Sequence, residues 1–221
     1  FAPLGVFCLI GKFVIADGLD IFQDVLAYVV LLIALLLFHA AFTYSIFLKF
    51  IGGLNPLTFY RKMKDVALFA FSTSSSAATI PVTLRTVNQD LGVNQNVASF
   101  VVPVGATINM DGTAIMQGLA TVFIAQMSGI DLTLFQYIQV VLLAVATSIG
   151  TAAVPSAGTI TLIIILQQFN LPLEAIGIIL AVDRVLDMIR TSVNVTGDAA
   201  IACIVAKTEN QLDENIFNSK A

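Results

Sequence analysis

Charge is scarce in this chain, and so are the side chains on which much soluble chemistry relies. Only 11% of its 221 residues are charged, against about 25% in an ordinary soluble domain. It has no tryptophan, one histidine (His39) and two cysteines (Cys8 and Cys203). A lone histidine inside the apolar run LLLFHAAF reads as a satisfied or interfacial side chain rather than a proton relay. Two cysteines in apolar sequence argue against a disulfide framework or a thiolate metal site and read as buried thiols. What fills the chain is apolar: 58% of residues are hydrophobic and the mean hydropathy is +0.95. That is the composition of an integral, multi-pass membrane protein, with an all-α fold. Residues 25–48 carry no charge over a length sufficient to cross a ~30 Å hydrocarbon core. No nucleic-acid partner is expected; the bilayer is.

The few cations are unevenly placed. Lys49, Arg61, Lys62, Lys64 and Arg85 surround the segment 50–90, and Lys207 and Lys220 follow the last apolar stretch. The connections 16–24, 127–136 and 168–176 hold acids and no Lys or Arg. The positive-inside bias therefore places 49–64 and the C-terminus in the cytoplasm of a cell (plasma or inner) membrane protein. The sequence begins inside an apolar run, FAPLGVFCLIG, without Met; the expectation is the C-terminal part of a longer protein.

Along the chain, 1–21 reads as a truncated transmembrane helix and 22–56 as one clean spanning helix. Residues 57–91 form a helical pattern interrupted by FSTSSSAATIP, and each half rises too little to span at ~1.5 Å per residue. Residues 131–170 repeat the plan around IGTAAVPSAG. Both are expected to be re-entrant hairpins, hairpin 1 and hairpin 2, with small polar tips that each carry one proline, Pro81 or Pro155. Each hairpin precedes a long apolar segment with a polar interruption: 92–130, broken at Asn109-Met110-Asp111-Gly112-Thr113, and 171–207. A tail, 208–221, follows as a solvated end with no chemistry of its own. Two interrupted units in corresponding places, entered from opposite sides, are the sequence mark of inverted repeats in a secondary transporter. Irregular backbone at membrane depth is tolerated only where it is buried in protein or lines a cavity, so both tips and the NMDGT break should converge.

The segment 183–198, DRVLDMIRTSVNVTGD, holds five ionisable side chains. At about 2.5–3.5 kcal/mol each in a bilayer core, idle charges would cost on the order of 10 kcal/mol. At 100° per residue, Asp183, Asp187, Arg190, Asn194 and Asp198 share one narrow arc, with Arg184 and Thr191 at its edge. That stripe faces protein, and its alternating acids and base suit ions or a charged solute. Arg190 offers a planar fork that matches a carboxylate in two places; the bland reading is an arginine that merely pairs with Asp183 or Asp187. Asp187 can meet an ammonium. Thr113, Thr191 and Asn194 add short polar groups, and the Ser75–Ser76 and Val154–Gly158 tips bring backbone N–H groups at helix N-termini. Asp111 and Asp198 have no basic neighbour at helical spacing and call for a cation or a proton; Na⁺, a hard cation, takes oxygen ligands.

Four blocks in order, Ser74-Ser75-Ser76, NMDGT at 109–113, SIGTAAVPSAG at 148–158 and DMIRTSVNVTGD at 187–198, resemble the glutamate transporter family, which includes archaeal and bacterial aspartate or glutamate symporters and the excitatory amino acid transporters. The match covers essentially the whole chain and corresponds to the second half of a member. The resemblance implies a homotrimeric elevator transporter co-transporting Na⁺ with L-aspartate or L-glutamate. It implies that Arg190 holds the substrate's side-chain carboxylate and Asp187 its ammonium, with Ser75, Ser76, Thr113, Val154, Gly158, Thr191 and Asn194 around it. It implies one Na⁺ site from Gly105, Asn109, Asn194 and Asp198, and a second from the carbonyls of Thr107, Ser148, Ile149 and Thr151. A third, shared by Asn109 and Asp111, is incomplete without an earlier helix.

The chain also departs from family patterns. Thr73 and Met188 stand where archaeal and human members respectively carry an arginine, so Arg184 is expected to supply positive charge near Asp187. Ala153 and Ser156 stand where relatives often have glycine. A proton-coupled symporter of glutamate, aspartate or a C4-dicarboxylate remains the alternative. An intramembrane protease is disfavoured because the serine triplet lacks a nucleophile context, His39 lies in a different segment and Gly197-Asp198 has no second Gly-Asp facing it. A channel is disfavoured because two tips meeting at one point suit an occluded site with two gates. No enzymatic activity is expected.

Overall fold

The structure is a computed structural model that describes residues 21–219 together with Gly5, Phe7, Cys8, Gly11 and Ile15. Most of the helix expected over 1–21 lies outside the described residues. Among the described residues the chain is helical, and the only strand-like pairing is one bridge between Val93 and Leu212.

The first helix, α1, runs Ile21–Ile51 with a mean hydropathy of 2.7; among the described residues it alone is long and apolar enough to cross a membrane. It is not uniform. Two π-helical turns, His39–Thr43 and Phe47–Ile51, interrupt it. Helix α2 (Pro56–Thr73) starts at Asn55, whose side chain accepts the N–H groups of Leu57 and Thr58, with proline in the first helical position, where its missing N–H costs nothing. It ends at Ser74, which is left-handed with φ 50°. Ser75 then caps α3 (Ser76–Gln89) by accepting the Ala78 N–H.

The first break is thus two residues, Ser74 and Ser75, and not the whole of FSTSSSAATIP. Serine, threonine and alanine tolerate helical backbone, and Pro81 sits within α3. Helices α4 (Gln95–Ile108) and α5 (Asp111–Met127) are separated at Asn109-Met110, as the NMDGT run predicts. Helix α6 (Leu134–Ile149) opens on a Thr133–Gln136 capping box, and after residues 150–156 the chain resumes as α7 (Ala157–Gln168). The last long helix, α8 (Ile176–Thr208), is 33 residues without a break. The second unit therefore does not repeat the broken helix of the first. The stripe's charges pair mostly with one another along α8, and otherwise with Ser156 and Asn109, so the backbone has no need to open.

Helix α8 is the axle of the molecule. It packs against α1, α2, α3, α4, α5 and α7, and most of its residues from Asp183 to Ala206 are buried. The α2–α3 and α6–α7 pairs each fold back as helical hairpins. The tail is not free: α9 (Glu214–Asn218) docks with Phe217 fully buried, a correction to its reading as a solvated end.

Candidate binding site

The polar face of α8 is buried although it carries four ionisable side chains, Asp183, Asp187, Arg190 and Asp198. Asp183, Asp187 and Arg190 are 2%, 4% and 2% exposed, which decides that the stripe faces protein. Arg190 donates through Nη2 to Asp187 Oδ1 at 2.5 Å and through Nη1 to Asp183 Oδ1 at 3.4 Å. Its guanidinium is thus shared by two carboxylates, and the internal pairing considered from sequence is present. The second oxygen of Asp187 accepts the backbone N–H of Ser156 at 2.9 Å, whereas Asp183 Oδ2 is buried without a hydrogen-bond partner among the described residues.

Both hairpin tips reach this point. Ser75 Oγ and the Ala77 N–H both donate to the Ala153 carbonyl, at 2.8 and 3.2 Å. A cavity of about 10 Å³ lies between them, lined by Ser74, Ser76, Thr113, Val154, Asp187, Arg190, Thr191 and Asn194 among others. Gly158 lines it too. A Cβ on that glycine would stand 2.8 Å from Thr113 Cγ2, so only glycine lets α7 approach α5 so closely. Of the sequence-expected solute residues, all but Ser75 line this cavity, and Ser75 holds its rim.

The residues expected to hold ions divide. Asp198, 2% exposed, accepts from Asn109 Nδ2 at 3.0 Å. Asn109 Nδ2 also points to the Asn194 carbonyl at 3.5 Å, and the Asn109 N–H donates to the Gly105 carbonyl at 2.7 Å. A Cβ on Gly105 would fall 2.6 Å from Asp198 Oδ1. Gly105, Asn109, Asn194 and Asp198 are therefore one oxygen-rich cluster, and that donor set fits a hard monovalent cation. Among the described residues no three His, Cys, Asp or Glu side chains converge, so a divalent or transition-metal centre is not indicated there. Thr107 is exposed on α4, and Ser148 and Thr151 turn their hydroxyls to helix carbonyls. Ile149 is half exposed, and α4 adjoins α6, which carries Ser148 and Ile149.

Asp111 is not bare, contrary to the sequence expectation. His39 Nε2 and Tyr44 Oη both lie 3.1 Å from its Oδ2, which also gives His39 its partner. In a regular helix residues five apart point about 140° away from one another. The π turn at His39–Thr43 removes that offset, and the two rings meet edge-on at 4.8 Å. Arg184 does not reach Asp187; it donates to Ser74 Oγ at 3.1 Å, joining α8 to the first tip.

Two residues that brace the candidate site escaped the sequence reading. Tyr44 is one, since only a π turn aims it at Asp111. Gln117, fully buried on α5, is the other. Its Nε2 donates to the Gly158 carbonyl at 3.0 Å and to Thr161 Oγ1 at 2.8 Å, and its Oε1 accepts from Thr147 at 2.7 Å. One side chain so ties both arms of the second hairpin to α5. A mid-helix glutamine in an apolar run was the available signal.

An excitatory amino acid transporter of Caenorhabditis elegans is 42% identical over 207 residues, covering 93% of this chain and 41% of that protein. Excitatory amino acid transporter 2 of Homo sapiens is also 42% identical over 207 residues, covering 93% and 36%. Excitatory amino acid transporter 3 of Mus musculus is 40% identical over 222 aligned positions, covering 100% and 42%. The chain thus spans about two-fifths of the length of these relatives. With residues 1–208 matching the description sodium:dicarboxylate symporter family throughout, the chain belongs to that family.

Proposed function

We propose that the chain carries the solute and ion sites of a sodium-coupled symporter for an acidic amino acid, L-aspartate or L-glutamate. The observation that carries this reading is a buried arginine fork shared between two carboxylates on the wall of a cavity where two hairpin tips meet. A solute with an ammonium and two carboxylates fits such a site by exchange. Its side-chain carboxylate takes the Arg190 fork while its ammonium takes Asp187, so the Arg190–Asp187 bond is replaced on both sides by one of the same kind. Neither buried charge is left alone, which would cost roughly 3–5 kcal/mol. The second carboxylate meets the tip N–H groups near Ser75, Ser76 and Val154–Gly158, with Thr113, Thr191 and Asn194 in reach.

The cavity of about 10 Å³ is near the ~10–15 Å³ that holds a single water, far too small for an amino acid. Entry therefore requires a tip to withdraw. The bonds that resist are Ser156 N–H to Asp187, the two donors on Ala153, Arg184 to Ser74 Oγ and Gln117 to the Gly158 carbonyl. Na⁺ is cargo in this reading. One ion sits among Gly105, Asn109, Asn194 and Asp198, and a second takes the carbonyls of Thr107, Ser148, Ile149 and Thr151 near the second tip. Asp111, held by His39 and Tyr44, belongs with Asn109 to a third site that this chain does not complete.

In this reading residues 57–91 and 131–170 are the re-entrant hairpins of an inverted repeat, since their arms of 12 to 18 residues rise only about 18–27 Å. The unit moves as a rigid body in an elevator cycle within a homotrimer, with the C-terminus in the cytoplasm. The test is uptake of labelled L-aspartate by the intact protein in proteoliposomes under an inward Na⁺ gradient or a pH gradient. Uptake driven by Na⁺ is expected. Uptake driven by pH alone would make Asp198 and Asp111 proton carriers, and uptake under neither would remove the solute assignment of Arg190.

A further inference from the structure

We propose that residues 209–219 form a clamp that fixes the base of the first hairpin to the end of α8 and thereby holds the distant tip at Ser74–Ser76 in register with Asp187 and Arg190. After Thr208 the chain turns through Asn210, which is left-handed with φ 56°, and runs antiparallel to the α3–α4 turn. The Asn94 N–H donates to the Gln211 carbonyl at 2.9 Å, the Asp213 N–H donates to the Gly92 carbonyl at 2.8 Å, and Val93 pairs with Leu212 between them. Gly92 has φ 73°, and a Cβ there would run into the Asp213 backbone. The turn is therefore shaped to receive the tail.

Helix α9 is five residues long, far below the ~12–15 at which a helix holds itself; docking keeps it folded. Asp213 caps its start, and Phe217 is fully buried. Its last turn is held by a lysine from the hairpin. Lys62, 9% exposed on α2, donates to the Ile216 carbonyl at 2.7 Å, to the Asp90 carbonyl at 2.8 Å and to Ser219 Oγ at 3.1 Å. One ammonium thus spends its three protons on α9, on the end of α3 and on the residue after α9. Lys207 on α8 pairs with Glu214 from the other side. α2, the α3–α4 turn and the end of α8 are stapled at one place. Lys62 and Ser74 are twelve residues apart on α2, about 18 Å along its axis, and α2 lies along α8. Rotation of α2 about this staple is what would carry Ser74–Ser76 away from the stripe. The second hairpin has no such staple among the described residues.

The test is hydrogen exchange on the intact protein with three variants: termination after Thr208, Phe217→Ala and Lys62→Met. It needs no bound solute, so it stands apart from the transport reading. The expected result is exchange about tenfold faster or more both at 91–94 and at 75–78, with α6 and α7 unchanged. Unaltered protection at 75–78 overturns the clamp. Protection lost equally across α6 and α7 also overturns it, because the tail would then be part of a single cooperative core. Phe217→Ala, the mildest change, keeps the test readable if the truncated protein fails to fold.

Discussion

Replacing Arg190 by alanine removes the only cation bonded to Asp183 and Asp187 among the described residues. The buried trio carries a net charge of −1; without the guanidinium it carries −2, in a site proposed to receive an anion. A ligand carboxylate then meets no fork and two like charges. A buried charge left without its partner costs roughly 3–5 kcal/mol, and at 1.4 kcal/mol per decade this is about a 10²–10⁴-fold loss of affinity. Arg190→Lys separates charge from shape: the trio stays at −1, but a point charge replaces the fork, and the expected loss is about tenfold. The assay is calorimetric binding of L-aspartate to the intact protein at saturating Na⁺, with a thermal melt of each variant to establish folding. Binding of L-aspartate by folded Arg190→Ala within threefold of wild type would refute the assignment, and equal losses for Lys and Ala would refute the role of the fork.

Other perturbations probe the surrounding contacts. Gly105→Ala places a methyl against the Asp198 carboxylate and should raise the Na⁺ concentration for half-maximal aspartate binding at least severalfold; an unchanged Na⁺ dependence would separate Gly105 from the ion cluster. Gln117→Leu removes three hydrogen bonds of the second hairpin and should cost about 1–3 kcal/mol of stability, read as a lower melting temperature together with faster exchange at 150–158. Tyr44→Phe deletes one donor to Asp111 while preserving the ring, so it should alter Na⁺ dependence and leave the melting temperature within a few degrees. Arg184→Met breaks the tie to Ser74 without touching Arg190, and aspartate affinity measured by the same calorimetry should fall less than in Arg190→Lys.

What could be read from the sequence was whatever rests on local periodicity. The stripe on α8 follows from 100° steps alone, and the second tip was bounded closely because Gly150 and Pro155 both resist helix there. The first tip was read too long because serine, threonine and alanine look like breakers yet accept helical backbone on either side of Ser74. The unbroken α8 was misread as an interruption because polar residues at membrane depth resemble a break until their partners, on α8 itself, at the two tips and at Asn109, are known. Asp111 was thought bare because its partners lie 72 and 67 residues away and are brought together by a π turn that no spacing rule reveals. Gln117 was missed for the same reason, since its bonds cross 30 to 44 residues.

The unbroken course of α8 acts as a ruler. Asp183, Asp187, Arg190, Asn194 and Asp198 stand on one rigid rod at about 1.5 Å per residue, so the eight residues from Arg190, which takes the proposed solute carboxylate, to Asp198 at the proposed ion span about 12 Å along the axis. A single inserted residue between them would turn everything beyond it by about 100° and strip one end of the stripe of its partners. Length is therefore frozen from 183 to 198, while the exposed turn at 128–131 carries no such constraint. Solute preference and ion preference can drift by substitution at fixed positions, but the span between the two sites can change only if the whole bundle is rebuilt.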